Sequence, residues 1–288
     1  MKRKYAYITG LVVCAMLGGG FSSAPRVSVY PTDAPEIMNR MIASVDSLRT
    51  LQFQLQNWER IDGELLYGQQ KVWMQVAPFR CYLYMIQPQR GSEILFNGTQ
   101  GKSDMIYNPK GFPYMKMNID PLGELARKNN HHTIFELGFS YFVGIMQHLR
   151  GQPDVAFTLE PEIVVEGTPC YVIHSLVKNY GYTDYTVREG EDLVGIARKK
   201  HLNEYMILEL NKEKIDDYED VKAGQRIRIP NAYAKWFRIA IDKKTYLPVE
   251  QKIFDESGLF EKYLMTNVKI NYVIPQATFS ESNLGRIK

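Results

Sequence analysis

Cysteine and histidine are scarce in this chain of 288 residues, at three and five. No two cysteines stand as Cys-x-x-Cys and no Cys/His cluster occurs, so nothing in the sequence points to a structural metal. A surplus of one charge is also lacking. The formal net charge is +3, and Lys2, Arg3 and Lys4 account for it. Removing these three from the 35 basic residues leaves 32, equal to the 32 acidic ones. A neutral body has no electrostatic reason to bind nucleic acid, whose phosphates demand a basic surface. Catalytic signatures are missing as well: there is no Gly-x-Ser-x-Gly, no His-Glu-x-x-His, no phosphate-binding loop and no Cys/His nucleophile pair. Glu160 and Glu162 could act as acid and base, but nothing singles them out from a polar turn. His131-His132 is the densest titratable spot. Neighbours on a helix point apart and cannot share one metal, so two exposed imidazoles at a helix start are expected there, while His174 falls on a strand pattern. The expectation is a non-enzymatic protein with no catalytic residue, metal or cofactor.

What is present begins with an address. Met1 to Lys4 is positive, Tyr5 to Phe21 carries no charge, and Ser22, Ser23 and Ala24 are small. This is the pattern of a secretory signal peptide, residues 1–24, and implies a periplasmic or cell-envelope location. A lipid on Cys14 (with Val13 before it, where a lipoprotein signal has a small residue) and an uncleaved anchor are the alternatives. An oxidising compartment permits a disulfide between Cys81 and Cys170; two buried small hydrophobes are the other reading.

Aromatics make up 12% of the chain, which favours pleated surfaces. Residues 31–48 read as a helix capped by Thr32, with Ile37, Met41, Val45 and Leu48 on one face. Leu51, Phe53 and Leu55 then alternate with glutamines, Val72, Met74 and Val76 alternate, and so do Phe79, Cys81, Leu83 and Met85. Turn residues separate these runs, so residues 50–120 read as an antiparallel meander. Asp120-Pro121 suits a helix start. Residues 131–149 carry a broad apolar stripe, read either as a core helix or as a helix closing the mouth of a cavity. Strands are expected at 155–159, 163–166 and 170–177, then at 236–241, 248–254 and 259–268.

Residues 185–230 differ in character. Tyr185-Thr186-Val187 opens a strand, and Leu193, Ile196 and Ala197 make one helix face. Ile207 and Leu210 make a second, and Gly224-Gln225-Arg226-Ile227-Arg228-Ile229-Pro230 closes with a strand. This βααβ pattern resembles a LysM domain along its whole length. The resemblance implies binding of N-acetylglucosamine-containing glycan such as peptidoglycan, in a groove between two loops. The residues so placed are Gly190, Glu191, Asp192 and Leu193 in the first loop and Asn211, Lys214 and Ile215 in the second. The family's usual Gly-Asp-Thr-Leu is Gly-Glu-Asp-Leu here, and the second loop is acidic, with Asp216, Asp217, Glu219 and Asp220. A module that keeps the shape as a spacer without binding glycan is the alternative.

The flanks, residues 31–180 and 233–280, resemble LolA-like periplasmic lipoprotein carriers. The resemblance rests on Ile241-Asp242-x-x-Thr245-x-Leu247-Pro248, on Asp255-x-x-Gly258 and on Ile274-Pro275 followed by Phe279. The centre, Gly111-Phe112-Pro113 through Gly138, is similar to a branch of unknown function. The implied fold is α+β: a curved antiparallel sheet, a half-barrel, wrapped around helices, with the small module inserted. The implied ligand is a lipid or lipoprotein acyl group, and Phe53, Leu55, Val72, Met74, Leu83 and Met85 are candidate walls of an apolar cavity. A filled-core structural envelope protein and a cell-wall hydrolase are the other functional readings.

Overall fold

A computed structural model describes residues 33–98, 105–112 and 114–286; the signal-like segment, Cys14 and Thr32 lie outside the described residues. The first helix, α1 (Ala34–Asp46), is capped by Asp33, whose side chain accepts from the Glu36 N–H at 2.8 Å. Its buried face holds Ile37, Met38, Met41 and Val45.

The meander follows: β1 (Thr50–Ile61), β2 (Glu64–Gln75), β3 (Arg80–Gln87), β4 (Glu93–Phe96), β5 (Met105–Asn108) and β6 (Met117–Ile119). Asp62 and Gly63, both at positive φ, make the tight first turn. Asp120 does not cap a helix; it closes a turn onto the Leu122 N–H, and the short α2 (Glu124–Arg127) starts after Gly123. The helix expected over 131–149 begins only with α3 (Ser140–Arg150). Before it lies a single 3-10 turn at Ile134–Glu136, held by a Thr133–Glu136 capping box, and then Gly138 at φ +94°. A Cβ at Gly138 would meet Met74 Sδ at 3.2 Å, so that turn packs directly on the sheet.

The two strands expected at 155–166 are one, β7 (Val155–Val165), bulged between Glu160 and Ile163. It pairs with β8 (Thr168–Val177). Next come the inserted module, β9 (Tyr182–Thr186), α4 (Leu193–Lys200), α5 (Glu204–Leu210) and β10 (Arg226–Pro230), and then β11 (Trp236–Asp242), β12 (Pro248–Asp255) and β13 (Gly258–Ile270). The large sheet is antiparallel throughout, in the order β6-β5-β4-β3-β2-β1-β13-β12-β11-β8-β7. It is the curved, open sheet wrapped around helices that the flanking resemblance implied. Because β8 and β11 are direct neighbours, the module occupies an oversized hairpin connection. Loop length costs little entropy once the ends are fixed. Asn231 fixes them, accepting from Gly181 N at 3.0 Å and donating to Asn179 O at 2.7 Å.

Cys81 on β3 and Cys170 on β8 are both buried and both free. Five strands separate them in the sheet, so the disulfide considered above is not formed.

The module has its own small core of Leu193, Ile196, Ile207, Ile215, Ile227 and Ile229. Helix α5 has a second apolar face. Tyr205 and Met206 are buried in the core of the host sheet, not in that of the module. The Tyr205 oxygen accepts from Asp62 N at 2.9 Å, Asn203 donates to His131 O at 3.2 Å, and His148 stacks on His201 at 4.0 Å. The module is thus docked on the host and is not a bead on a linker. Truncating this contact, Tyr205→Ala, is expected to destabilise the whole chain by about 3 kcal/mol, the usual cost of removing a buried aromatic. Urea unfolding should show one transition at a lower midpoint; two separated transitions would contradict the docking.

Candidate functional site

Beneath the meander the core is incomplete. A cavity of about 750 Å³ lies between the inner faces of β1 to β6 and the irregular segment that leads into α3. Leu55, Leu66, Leu83, Met85, Ile94 and Met105 line the sheet side, and Leu125, Ile134 and Leu137 line the other. Of the six residues expected as walls, Leu55, Leu83 and Met85 face the space. Phe53, Val72 and Met74 do not. The 138–139 turn covers Met74 and sets Phe139 against Phe53, with ring centroids 6.2 Å apart, and Val72, cross-strand from Phe53, is fully buried.

The deep end is polar, and here the sequence expectation fails. His131 and His132 are interior residues, not exposed imidazoles; His131 is 1% exposed. They converge on Glu261 of β13, which stands directly across from Glu59 of β1 in the sheet register. Two buried carboxylates on neighbouring strands repel, and each also loses its water. The compensation is dense. Glu261 Oε2 accepts from His131 Nδ1 at 2.9 Å and His132 Nε2 at 3.1 Å, with the Tyr263 oxygen 3.2 Å away. The other oxygen accepts from the Tyr233 hydroxyl at 2.7 Å. Glu59 accepts from the His131 N–H at 2.9 Å and from Tyr263 at 2.5 Å. The second ring nitrogen of His131 lies 2.9 Å from Arg60 O. Both His131 nitrogens therefore face acceptors.

Burial alone would raise the Glu261 pKa, but the charge of His132 and the hydrogen bonds from both histidines hold it well below the usual carboxylate range. Burial alone would lower that of His132; the charge and hydrogen bond of Glu261, with Glu136 and Glu59 beyond, hold it up at about 10. Burial and the charge of Glu261 push both Tyr233 and Tyr263 upward, so they remain donors. General acid–base catalysis works best with groups that titrate near the working pH. Glu261 and His132 are both held away from it. Among the described residues no group of His, Cys, Asp and Glu is arranged to hold a metal ion.

The sequence itself carries one signal for this site. Glu59 and Asn57 continue the inward parity of Leu51, Phe53 and Leu55, so the strand pattern itself puts a carboxylate on the core face.

In the module, the two loops meet where the Leu193 N–H donates to Tyr218 O at 3.0 Å. Gly190 is exposed at φ +75° and Lys214 is exposed. Glu191 is held by the Tyr185 hydroxyl, the Arg188 N–H at 3.0 Å and Lys199 at 3.2 Å. The bond from the Arg188 N–H, then that from Tyr185, pulls its pKa down to about 2. Asp192 caps α4. Leu193 and Ile215 are core side chains, and the Asn211 amide is spent on Ile207 O and on both backbone groups of Arg228. Five of the seven expected glycan residues therefore shape the loops, and Gly190 and Lys214 are the ones presented to solvent.

Residues 185–230 match the family model described as LysM domain. The inserted module is a LysM domain. Residues 49–179 match the model described as "Protein of unknown function (DUF1571)". No curated protein matches the sequence. Among solved structures, the Pseudomonas aeruginosa MucA/MucB complex aligns at TM-score 0.43 and 14% identity, over 85% of this chain and 59% of that one. The Mycobacterium tuberculosis lipoprotein LppX aligns at 0.41 and 12%, over 84% and 99%. A LolA superfamily protein from Nitrosomonas europaea aligns at 0.33 and 10%, over 88% and 100%.

The charged end of the cavity beside the LysM domain sets a pH dependence. Glu261, with its pKa depressed, contributes stability that is present above its ordinary value of 4.5 and is lost as pH falls through the folded value. His132, raised, contributes stability that is complete below 6.5 and is lost as pH rises toward about 10. Stability from this pair should therefore be greatest between those two ordinary values and fall on the alkaline side by up to about 1.4 kcal/mol per pH unit. Urea midpoints from pH 6 to 10 measure the slope. His132→Gln should flatten it, and an equally steep fall in that variant would refute the assignment.

Proposed function

We propose that this chain is an exported envelope protein that holds the apolar chain of an amphiphile in its host-domain cavity and attaches through its LysM domain to N-acetylglucosamine-containing glycan of the peptidoglycan type. The cavity carries the reading. Its volume lies within the range of about 300–1,000 Å³ usual for small-molecule sites, and most of its wall area is apolar. Met85, Met105 and Met117 give that wall the adaptability a flexible chain needs. Each methylene transferred from water contributes about 0.8 kcal/mol, so a ten-carbon chain supplies about 8 kcal/mol before the costs of association. A structural protein with a filled core is disfavoured by the same space. A hydrolase is disfavoured because Glu261 and His132, both facing the cavity, are tied to each other at 3.1 Å. The signal-like segment supports export, and the LysM match supports a glycan partner.

The test is uptake of a neutral fluorescent probe, 1-N-phenylnaphthylamine, together with native mass spectrometry of protein isolated from its own envelope. The wild-type chain should enhance the probe's fluorescence and carry a stoichiometric extractable amphiphile. Leu83→Trp, which fills the wall, should weaken probe binding at least tenfold while keeping the circular dichroism of the fold. No uptake and a bare polypeptide mass in the wild-type chain would sink the reading. Separately, the protein should pellet with purified sacculi and be released by chito-oligosaccharide.

A further inference from the structure

The proposed cavity reading says nothing of what stands at the head of the bound chain. Three carboxylates line the deep end: Glu59, Glu136 and Glu261. Against them stand the two histidines. The other cations nearby are Arg60, paired with Asp255, Arg127, which lies over the Tyr218 ring, and Lys128, which lines the cavity and is exposed. The hydroxyls of Tyr233 and Tyr263 donate to the glutamates and offer only lone pairs to anything else. The LysM helix adds a further acidic side chain, Glu204, which is buried and close enough to feel Glu136, His132 and Arg127. Glu59, Glu136 and Glu261 thus outnumber the imidazoles of His131 and His132 at this end.

The hydrogen-bond inventory points the same way. Glu136 Oε2 takes the N–H and hydroxyl of Thr133, at 2.5 and 2.8 Å, while its other oxygen makes no hydrogen bond among the described residues. His132 Nδ1 has no hydrogen-bond partner and already faces Glu136 at 4.0 Å, and the amides of Asn57, Gln70 and Gln251 also line the cavity. An ammonium group brings three donors and one positive charge to the open oxygen of Glu136 and the carboxylates beside it. A carboxylate or phosphate head would place a further anion among three, in a setting where water screens little.

We infer that the cavity takes amphiphiles whose head is a primary amine or similar cation, and discriminates against fatty-acid carboxylates. The inference rests on the cavity reading above, and one experiment separates the two. Dodecylamine, dodecanol and dodecanoate, each below its micelle concentration at pH 7, are titrated against the wild-type chain loaded with 1-N-phenylnaphthylamine. Dodecylamine should displace the probe at a concentration at least ten times lower than dodecanoate, with dodecanol between them. Glu136→Gln keeps an acceptor for the Thr133 cap and should narrow the amine-to-acid ratio at least threefold while leaving dodecanol unchanged. Dodecanoate binding as tightly as the amine would overturn the head-group assignment and leave the cavity reading standing. An unchanged ratio in the Glu136→Gln chain would also overturn it. Failure of all three compounds to displace the probe would overturn the cavity reading itself. Should the variant fold poorly, the wild-type comparison decides alone.

Discussion

The structure turns on one buried carboxylate. Glu261 has no exposure to solvent and stands across the sheet from Glu59. An ion in that position costs several kcal/mol unless donors replace its water. The donors come from places far apart in the sequence: His131 and His132 from the segment before α3 and Tyr233 from the exit of the LysM domain, while Tyr263 of β13 gives its proton to Glu59 alongside. The closing strand, the cavity wall and the inserted domain are thereby tied to one point. Behind it, Arg60 is paired with Asp255 and lies over the Phe260 ring at 5.4 Å, so a second buried charge is matched next to the first.

The same point explains why the LysM domain is docked. His131 is sandwiched between Phe260 at 4.0 Å and Tyr205 of α5 at 4.8 Å, both nearly parallel to it. The ring that serves Glu261 on its edge thus serves the domain interface on its face. Arg127, at the end of α2, lies over the ring of Tyr218 at 4.5 Å, and Tyr218 belongs to the second glycan loop. The wall of the cavity and the loop expected to meet glycan share one frame, with no mobile linker between them.

Much of this was legible in the sequence, and the failures share a cause. Alternation in Leu51, Phe53 and Leu55 located β1, and the spacing of Ile37, Met41 and Val45 located α1, because each is set by a periodic face against one core. The LysM pattern was legible for the same reason, as a self-contained set of apolar positions. Periodicity carries no record of long-range polar pairing. The histidine pair read as exposed because its partners, Glu59 and Glu261, lie 72 and 130 residues away in sequence. The disulfide stayed open because strand order across an eleven-stranded sheet is not a local property. Three of six wall residues proved to be packed core, since which inward side chains are covered depends on where the 138–139 turn lands.

That turn also accounts for the cavity. The apolar stripe of residues 131–149 has helical spacing, and a continuous helix there would lie along the sheet and fill the space. It does not form. His131 Nδ1 and His132 Nε2 bond the same oxygen of Glu261, and consecutive residues of a helix cannot aim two rings at one atom. The backbone therefore bends at the pair and is extended at Thr133. It resumes with a single 3-10 turn, reverses at Gly138 and becomes helical only at Ser140, beyond the meander's deep end. Where α1 and the rest of α3 pack on the sheet the core is full; over the cavity, β1 to β6 face α2, the irregular segment and the first turn of α3, with Tyr141 and Phe142. The demand of Glu261 for two imidazoles thus does two things at once. It places a charged end in the interior, and it withholds the helix that would otherwise close the space in front of that end.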